Sequence, residues 1–358
     1  MMKIGINITP LHTAHKRRGI GYYTSNLLNY LKKDKELEIF EFTKLSEVEK
    51  LDLVHYPWFD FYFHTMPIKK KFKRVVTIHD TIPLLFPSHY PVGFKGRTNF
   101  FLQKLALRNV DAVITDSNTS KRDIISSLKI KSDKIFPIPI AVDKDFQPLA
   151  DNHLIRVKNK FHLPDQFLLY VGDANWSKNI PFLINGFSKL IQKQEMKNLG
   201  LVLVGEVFLK NLENIDHPEL ESLKEANRLI HKLDLSSKII RPGNLVKEDL
   251  IAFYNLATVY IQPSIYEGFG LPVLEAFACG TPVISTDTGS LPEVGGDVSI
   301  YFNSNNLLQF VRIVEDLLLS KSLQNKLSKL ALKRALNFSW DKVVKQTKEV
   351  YSYAVKNK

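Results

Sequence analysis

Cysteine is nearly missing from the sequence: Cys279 stands alone among 358 residues. A lone thiol cannot close an internal bridge, which fits a reducing compartment and leads to the expectation of a cytoplasmic protein. Long apolar runs are missing too. No stretch approaches the roughly 20 apolar residues that span a bilayer. The opening Met1-Met2-Lys3-Ile4-Gly5-Ile6-Asn7-Ile8 is too short and too alternating for a signal-peptide core, and reads as a first β-strand. Repeats of fixed period and low-complexity tracts are absent, which sets aside solenoids and arrays.

What remains is a globular composition, with 44% hydrophobic and 24% charged residues, and that excludes a disordered chain. A length of 358 residues exceeds what one hydrophobic core usually serves, so two α/β domains separated by a cleft are expected. The formal charge of +12 points to an anionic partner. Acid is scarce mainly in the first half. Residues 1 to 150 hold 24 Lys and Arg against 15 Asp and Glu, whereas the remainder holds 25 against 22. The excess includes Lys16-Arg17-Arg18 and Lys69-Lys70-Lys71-Phe72-Lys73-Arg74, the latter following the aromatic run Trp58-Phe59-Asp60-Phe61-Tyr62-Phe63. Exposed rings beside cations suit contact with an anionic membrane surface. A solvated basic face over a buried aromatic cluster explains the same residues equally well.

Short apolar runs alternate with helical patterns throughout, as in parallel sheets covered by helices. In the first half the strands expected are Lys3–Asn7, Leu53–Tyr56, Arg74–His79, Ala112–Thr115 and Ile135–Ile138, with helices over Tyr22–Lys32, Arg97–Arg108 and Ser120–Ser127. Pro148, Pro164 and mixed charge place a domain linker within Ala141–Asp165. The pattern then restarts at Phe167–Val171, Leu201–Val204, Ile239–Ile240, Val259–Ile261 and Pro282–Ile284. The organisation read from this is an N-terminal Rossmann-like domain over 1–150 and a second over 151–335. A Ser-capped helix within 336–358 closes the chain and is expected to pack back on the first domain.

Chemistry concentrates between Val259 and Pro282, where a strand is followed by the loop Glu267-Gly268-Phe269-Gly270 and by a helix that Pro272 opens and Gly280 closes. Such a turn presents amides at a helix start, which suits a diphosphate. Glu267 and Glu275 would repel phosphates, so the workable arrangement puts phosphates on the amides and both carboxylates on sugar hydroxyls. Two surface glutamates flanking a glycine turn are the plainer alternative.

This segment resembles the E-x7-E element of the retaining glycosyltransferases of family 4, and the resemblance extends over most of the chain. In the family's order follow Gly280-Thr281-Pro282-Val283-Ile284 and Gly289-Ser290-Leu291-Pro292-Glu293-Val294. Upstream stand Gly19-Ile20-Gly21-Tyr22, Val76-Thr77-Ile78-His79-Asp80, Tyr170-Val171-Gly172 with Lys178-Asn179, and Pro242-Gly243. The resemblance implies the GT-B architecture, two doubly wound parallel-sheet domains facing each other across a cleft. It implies a nucleotide diphosphate sugar, GDP- or UDP-linked, as donor, and transfer of a hexose, mannose among the options, to a glycan or lipid-linked acceptor in cell-surface polysaccharide synthesis.

Carried over position by position, the family implies that Glu267 and the amides of Phe269 and Gly270 hold the transferring sugar. Glu275 would take the ribose hydroxyls, the Leu271 amide the diphosphate, and Lys178 the leaving phosphate. His79 would face the donor sugar from the opposite wall; taken alone, a strand-end histidine is more often structural. Gly19 and Gly21 would form a glycine loop near the diphosphate, and Asn244 to Val246 would line the base. Transfer with retention is commonly described as same-face attack in which the departing diphosphate takes the acceptor's proton, so no protein nucleophile, cofactor or metal is implied.

Departures from the family accompany the match. Ser177 and Asp173 stand where many relatives place arginine, so either Arg241, Arg17, Arg18 or the helix end compensates or the diphosphate is bound more weakly. Asp143-Lys144-Asp145 mimics a metal-holding D-x-D but falls at the linker, where the family carries a similar Val-Asp pair. Asp116-Ser117-Asn118-Thr119-Ser120 is read first as a helix cap. The other readings are a non-transferring relative of the same fold, such as a phosphorylase, an epimerase or a nucleotide-sugar binder, and a nucleic-acid-binding protein. The last lacks a recognition helix, zinc spacing or aromatic RNA platform, so nucleic acid is not an expected partner.

Overall fold

Strands buried on both faces read as unbroken apolar runs, and those runs form two parallel sheets. The structure, a computed structural model, describes residues 1–17, 19–212 and 217–356. The chain divides into two compact units, one of Met1–Ala141 with the segment from Phe338, the other of Val142–Asn337.

The first unit holds β1 (Met2–Asn7), β2 (Leu37–Phe42), β3 (Leu53–Tyr56), β4 (Lys73–Thr77), β5 (Ala112–Thr115) and β6 (Ile135–Pro137). Their order is β2-β1-β3-β4-β5-β6, every pair parallel. The second holds β7 (Phe167–Val171), β8 (Gly200–Val204), β9 (Ile239–Gly243), β10 (Val259–Gln262), β11 (Val283–Thr286) and β12 (Ile300–Phe302). Their order is β12-β11-β10-β7-β8-β9, again all parallel. Counted within the second unit this is the doubly wound order 3-2-1-4-5-6.

Two strands are absent from the apolar-run reading, β2 and β12, and both lie at sheet edges. β2 interleaves Glu38 and Glu41 with apolar residues and buries only Leu37 and Phe42, while the three-residue β12 buries only Phe302. An edge strand has one neighbour and a partly wet face, so its apolar signal is diluted.

The second unit begins at Val142, ahead of the 151 boundary. Leu149 N–H donates to Asn255 Oδ1 at 2.9 Å, Asn255 Nδ2 donates to Gln147 O at 3.1 Å, and Lys247 pairs with Asp143 and Asp145, so this stretch is sewn to the second unit. The closing helix Trp340–Lys356 belongs to the first unit. Lys342 N–H donates to Ser339 Oγ at 3.4 Å, and Val343, Thr347, Val350, Tyr351 and Ala354 recur at helical spacing on its buried face. Trp340 stacks on Tyr30 with ring centres 5.8 Å apart.

The aromatic run 58–63 is mostly core. Trp58, Phe59 and Phe61 are buried and only Phe63 stands out, 69% exposed, which corrects the surface version of that run. Arg74 is likewise buried, because β4 is an interior strand; its guanidinium donates to the carbonyls of Ala106 and Lys69. Lys70 and Lys73 pair with Asp111, and Lys71 donates to Val48 O.

Candidate active site

An open parallel sheet binds ligands where successive connections leave for opposite faces, beyond the carboxyl ends of the strands. In the second sheet that point lies between β7 and β10. Lys178 follows β7, in a short turn Trp176–Lys178, and Glu267 follows β10. Ile265 N–H donates to Ser177 O at 2.7 Å, so one backbone bond ties the two loops together.

Across that tie Lys178 Nζ meets both oxygens of Glu267, at 2.7 and 2.8 Å. Glu267 is buried, and its Oε1 also accepts from Gln262 Nε2 at 2.8 Å and Ser264 Oγ at 2.7 Å. Gln262 is held in turn by the Tyr260 hydroxyl. A buried carboxylate survives only with such compensation. Below it, Ser290 donates to Glu267 O through its amide at 3.1 Å and through Oγ at 3.0 Å. That approach requires Gly289, which has φ +60° and whose Cβ would stand 2.5 Å from Glu267 O. The result is a fixed cation beside a carboxylate able to accept hydroxyls.

Glu275 has a separate set of partners. It lies in the helix Leu271–Ala278, and Tyr254 donates to its Oε2 at 2.7 Å. Burial pushes its carboxyl up from 4.5 to about 7, against the opposing pull of the Tyr254 bond. Burial, with the Glu275 charge adding to it, also pushes the Cys279 thiol well up, so that thiol is a packed apolar group and not a nucleophile. Gly270 caps the helix in the left-handed conformation with φ +100°, Leu271 opens it, and Pro272 occupies its first turn without needing an amide partner. Phe269 is buried and Leu271 partly so.

The remaining sequence candidates of this unit are wholly or partly exposed. Asn244 is exposed and reaches Glu206 at 3.5 Å, while Val246, 62% exposed, precedes the helix Lys247–Leu256. Arg241 donates to Asn227 at 3.4 Å. Arg18 and the Arg17 side chain lie outside the described residues. Ser177 is buried and donates to Asn175; Asp173 Oδ1 accepts the Ala174 amide. Lys247 bridges both acids of the D-x-D mimic.

In the first unit His79 stands just beyond β4, and its neighbour is Asp116, just beyond β5. His79 Nδ1 lies 2.7 Å from Asp116 Oδ2, and Ser120 Oγ donates to His79 O at 3.0 Å. Ser117 caps the helix Asn118–Leu128 by accepting the Ser120 amide at 2.9 Å, so the cap reading holds for Ser117 while Asp116 has a different use. Burial opposes a charged His79 ring, yet the Asp116 charge and hydrogen bond, with Asp80 and the Pro57 carbonyl, raise its pKa. Nearby His55 moves the other way, to about 3, through burial and the His79 charge. Its ring bridges Tyr351 and Thr77 at 2.7 and 2.8 Å, and Thr77 also meets Tyr23 at 3.2 Å.

Gly19 and Gly21 are not in a loop; both lie in the first turn of the helix Gly19–Leu31. A Cβ on Gly21 would come within 2.4 Å of His15 O and 2.6 Å of Lys16, so glycine there is what lets the helix start directly against the Ala14–Arg17 turn. Sequence reasoning missed Gln262, Ser264 and Tyr254. For Gln262 a signal existed, since a glutamine closing the run Val259-Tyr260-Ile261 is out of place in a buried strand. Tyr254 gave none. Among the described residues no cluster of three or more His, Cys, Asp or Glu side chains is arranged to hold a metal.

Comparison with known proteins adds to this geometry. A family model described as "Glycosyl transferases group 1" matches residues 151–334, and one described as "Glycosyltransferase Family 4" matches 15–146. The serotype-specific mannosyltransferase WbdA of Escherichia coli is 34% identical over 272 residues, covering 75% of this chain and 32% of that protein. The chain therefore spans about a third of the length of the WbdA relatives it matches. The O-antigen chain mannosyltransferase B of Escherichia coli is 28% identical over 282 residues, covering 78% of this chain and 70% of that one. Among solved structures, HepE of Anabaena in complex with UDP and glucose superposes with a TM-score of 0.75 at 16% identity, covering 98% of this chain and all of the other, which supports the GT-B fold.

Proposed function

The chain belongs to the group 1 glycosyltransferases of family 4, and from that premise we propose that it moves a hexose, mannose by preference, from a GDP- or UDP-linked donor onto a glycan or lipid-linked acceptor during surface polysaccharide synthesis. The mannosyltransferase relatives favour the sugar. The observation that carries the reading is the Lys178–Glu267 pair at the point where the second sheet reverses, with Gln262 and Ser264 holding the carboxylate.

In this reading the diphosphate lies on the start of the Leu271–Ala278 helix, where amides and dipole favour an anion, and Lys178 neutralises the leaving phosphate. Glu267, with the amides of Phe269 and Gly270, takes sugar hydroxyls. Glu275 takes the ribose, Asn244 to Val246 flank the base, and His79 is the first unit's group acting on the transferring sugar. The bond from the anomeric carbon to the phosphate oxygen breaks, the bond to the acceptor oxygen forms on the same face, and the acceptor's proton passes to the departing diphosphate. Retention follows from that geometry, and the scheme asks for no metal.

A panel of UDP, GDP and ADP with their sugars tests this, read by thermal shift and by release of nucleotide diphosphate. A ligand at one hundred times its dissociation constant stabilises by about 2.7 kcal/mol. Sugar-dependent release separates a transferase from a binder, and no response to any of the set sinks the reading.

One observation supports a further element, contact with an anionic membrane surface. The helix Phe94–Arg108 carries Lys95, Arg97, Lys104 and Arg108 and no acid, and on one face it exposes Phe94, 87%, and Phe101, 63%. Asn99 on this helix donates to Tyr62 O, beside the exposed Phe63. Rings among cations suit an anionic headgroup layer. Among the described residues no helix is long and apolar enough to cross a membrane. Flotation with vesicles rich in phosphatidylglycerol should drop when Phe94 and Phe101 become serine; equal flotation with phosphatidylcholine alone argues against the idea.

A further inference from the structure

Buried polar atoms are almost always hydrogen-bonded, and each exception asks for a reason. Two exceptions sit on one pair of residues in the first unit: Asp116 Oδ1 is buried without a hydrogen-bond partner, and His79 Nε2 is buried without a well-aligned one, the Pro57 carbonyl being the acceptor nearest the ring. The opposite atoms of the same two side chains are joined at 2.7 Å. The pair is also braced. The helix that Ser117 caps pins the His79 carbonyl through Ser120 Oγ, and the Tyr23 ring packs perpendicular to the imidazole, centres 4.8 Å apart at 87°. The histidine is thus held at its backbone, at its ring and at Nδ1, and the Pro57 carbonyl faces the ring as well.

We infer that Asp116 is a positioning residue for the transfer reaction: its carboxylate holds Nδ1–H of His79 and so fixes the tautomer and the orientation of the ring that acts in transfer. This rests on the glycosyltransferase reading. The logic is that of a carboxylate behind a histidine, which selects the tautomer and stabilises the ring cation. An ionised carboxylate only accepts, so Nδ1 carries the proton it binds. The charged and titratable groups facing the ring agree. From the β5 end comes Asp116, from the residue after His79 comes Asp80, from the β3 side come the Pro57 carbonyl and a neutral His55, and from the Gly19–Leu31 helix comes Tyr23. Burial opposes the cation, and the carboxylates and the carbonyl outweigh it.

The test is Asp116→Asn, with Asp116→Ser as a second variant should the first misfold, each measured alone and in a His79→Gln background. The His79 ring is titrated by NMR in the whole protein, and steady-state transfer is followed against pH. We expect the ring to titrate at lower pH in the variant than in the wild type. Turnover should fall roughly ten- to a hundredfold, by analogy with the scale for carboxylates behind metal-bound histidines, with the KM for the donor changing less than about threefold. Because the ring acts as the cation, activity falls as pH rises through its pKa, and that fall moves to lower pH in the variant. In the His79→Gln background the same substitution should cost nothing more. An unmoved titration, or losses that simply add, overturns the inference. Transfer by the wild type with an unaffected variant sinks this proposal alone, whereas no transfer by the wild type on any donor sinks the functional reading beneath it.

Discussion

The two units share one kind of sheet and differ in what stands at the strand ends. In the second, Glu267 accepts from Lys178, Gln262 and Ser264, all within 2.8 Å, before any ligand is bound. In the first, His79 and Asp116 satisfy each other, Asp116 Oδ1 is left unmet, and His79 Nε2 has no well-aligned bond. A saturated network fixes where charge lies, so little reorganisation remains when a leaving group departs. An unmet buried polar atom costs about 1–3 kcal/mol until something meets it. The saturated network of the second unit suits holding a donor; the incompletely satisfied pair of the first suits a group that engages its substrate on arrival.

Breaking the saturated side should give the largest effect. Lys178→Ala removes the cation and strands a buried carboxylate, and turnover should fall roughly 10²–10³-fold, the scale for losing one transition-state donor. Initial rates on a responding donor check this; wild-type rates would remove Lys178 from the site. Gly289→Ala attacks the same network from beneath. Its φ of +60° and the 2.5 Å approach to Glu267 O predict a loss of about 1–3 kcal/mol in thermal unfolding, with reduced activity alongside.

Glu275 sharpens the comparison, since one hydrogen bond does not offset its burial. Its folded pKa, near 7, lies above the ordinary 4.5, so its contribution to stability is present in acid and lost as pH rises through about 7. Glu275→Gln should therefore stabilise the unliganded protein at pH 8 by about 1–2 kcal/mol while weakening nucleotide binding, as expected of a group kept for a ligand. In the wild type nucleotide affinity should decline below pH 7. Affinity that is flat between pH 5.5 and 8 would exclude a ribose role. Ser264→Ala should have the smallest effect. Glu267 Oε1 keeps two of its three donors, so a loss near 1 kcal/mol, a fewfold change in turnover, is expected in the same rate assay.

Ten of the twelve strands correspond to runs legible in the sequence: eight are interior strands, apolar on both faces, and two, β6 and β9, are edge strands that keep a short apolar run. β2 and β12, the other two edge strands, were not legible, since β2 mixes charge with its apolar residues and the three-residue β12 buries only Phe302. The loop from Glu267 to Gly270 was legible from its glycines and its proline-opened helix. Its partners were less so: Tyr254 lies 21 residues before Glu275, and nothing in the spacing announces their bond. The aromatic run 58–63 misled for a related reason. Rings beside lysines look alike whether they face solvent or core, and only packing separates Phe63 from Phe61.

By itself the sequence determined the fold class, the restart of the pattern in the second half, and the glycine turn with its two acids, all of which rest on local periodicity and backbone freedom. Tertiary structure decided which groups meet. It joined Lys178 to Glu267 over 89 positions and His79 to Asp116 over 37, it folded Gly19 and Gly21 into a helix, and it buried Arg74. The physical reason is that a parallel sheet sets residues remote in sequence side by side at the carboxyl ends of neighbouring strands. Proximity there follows strand order, which local pattern does not encode.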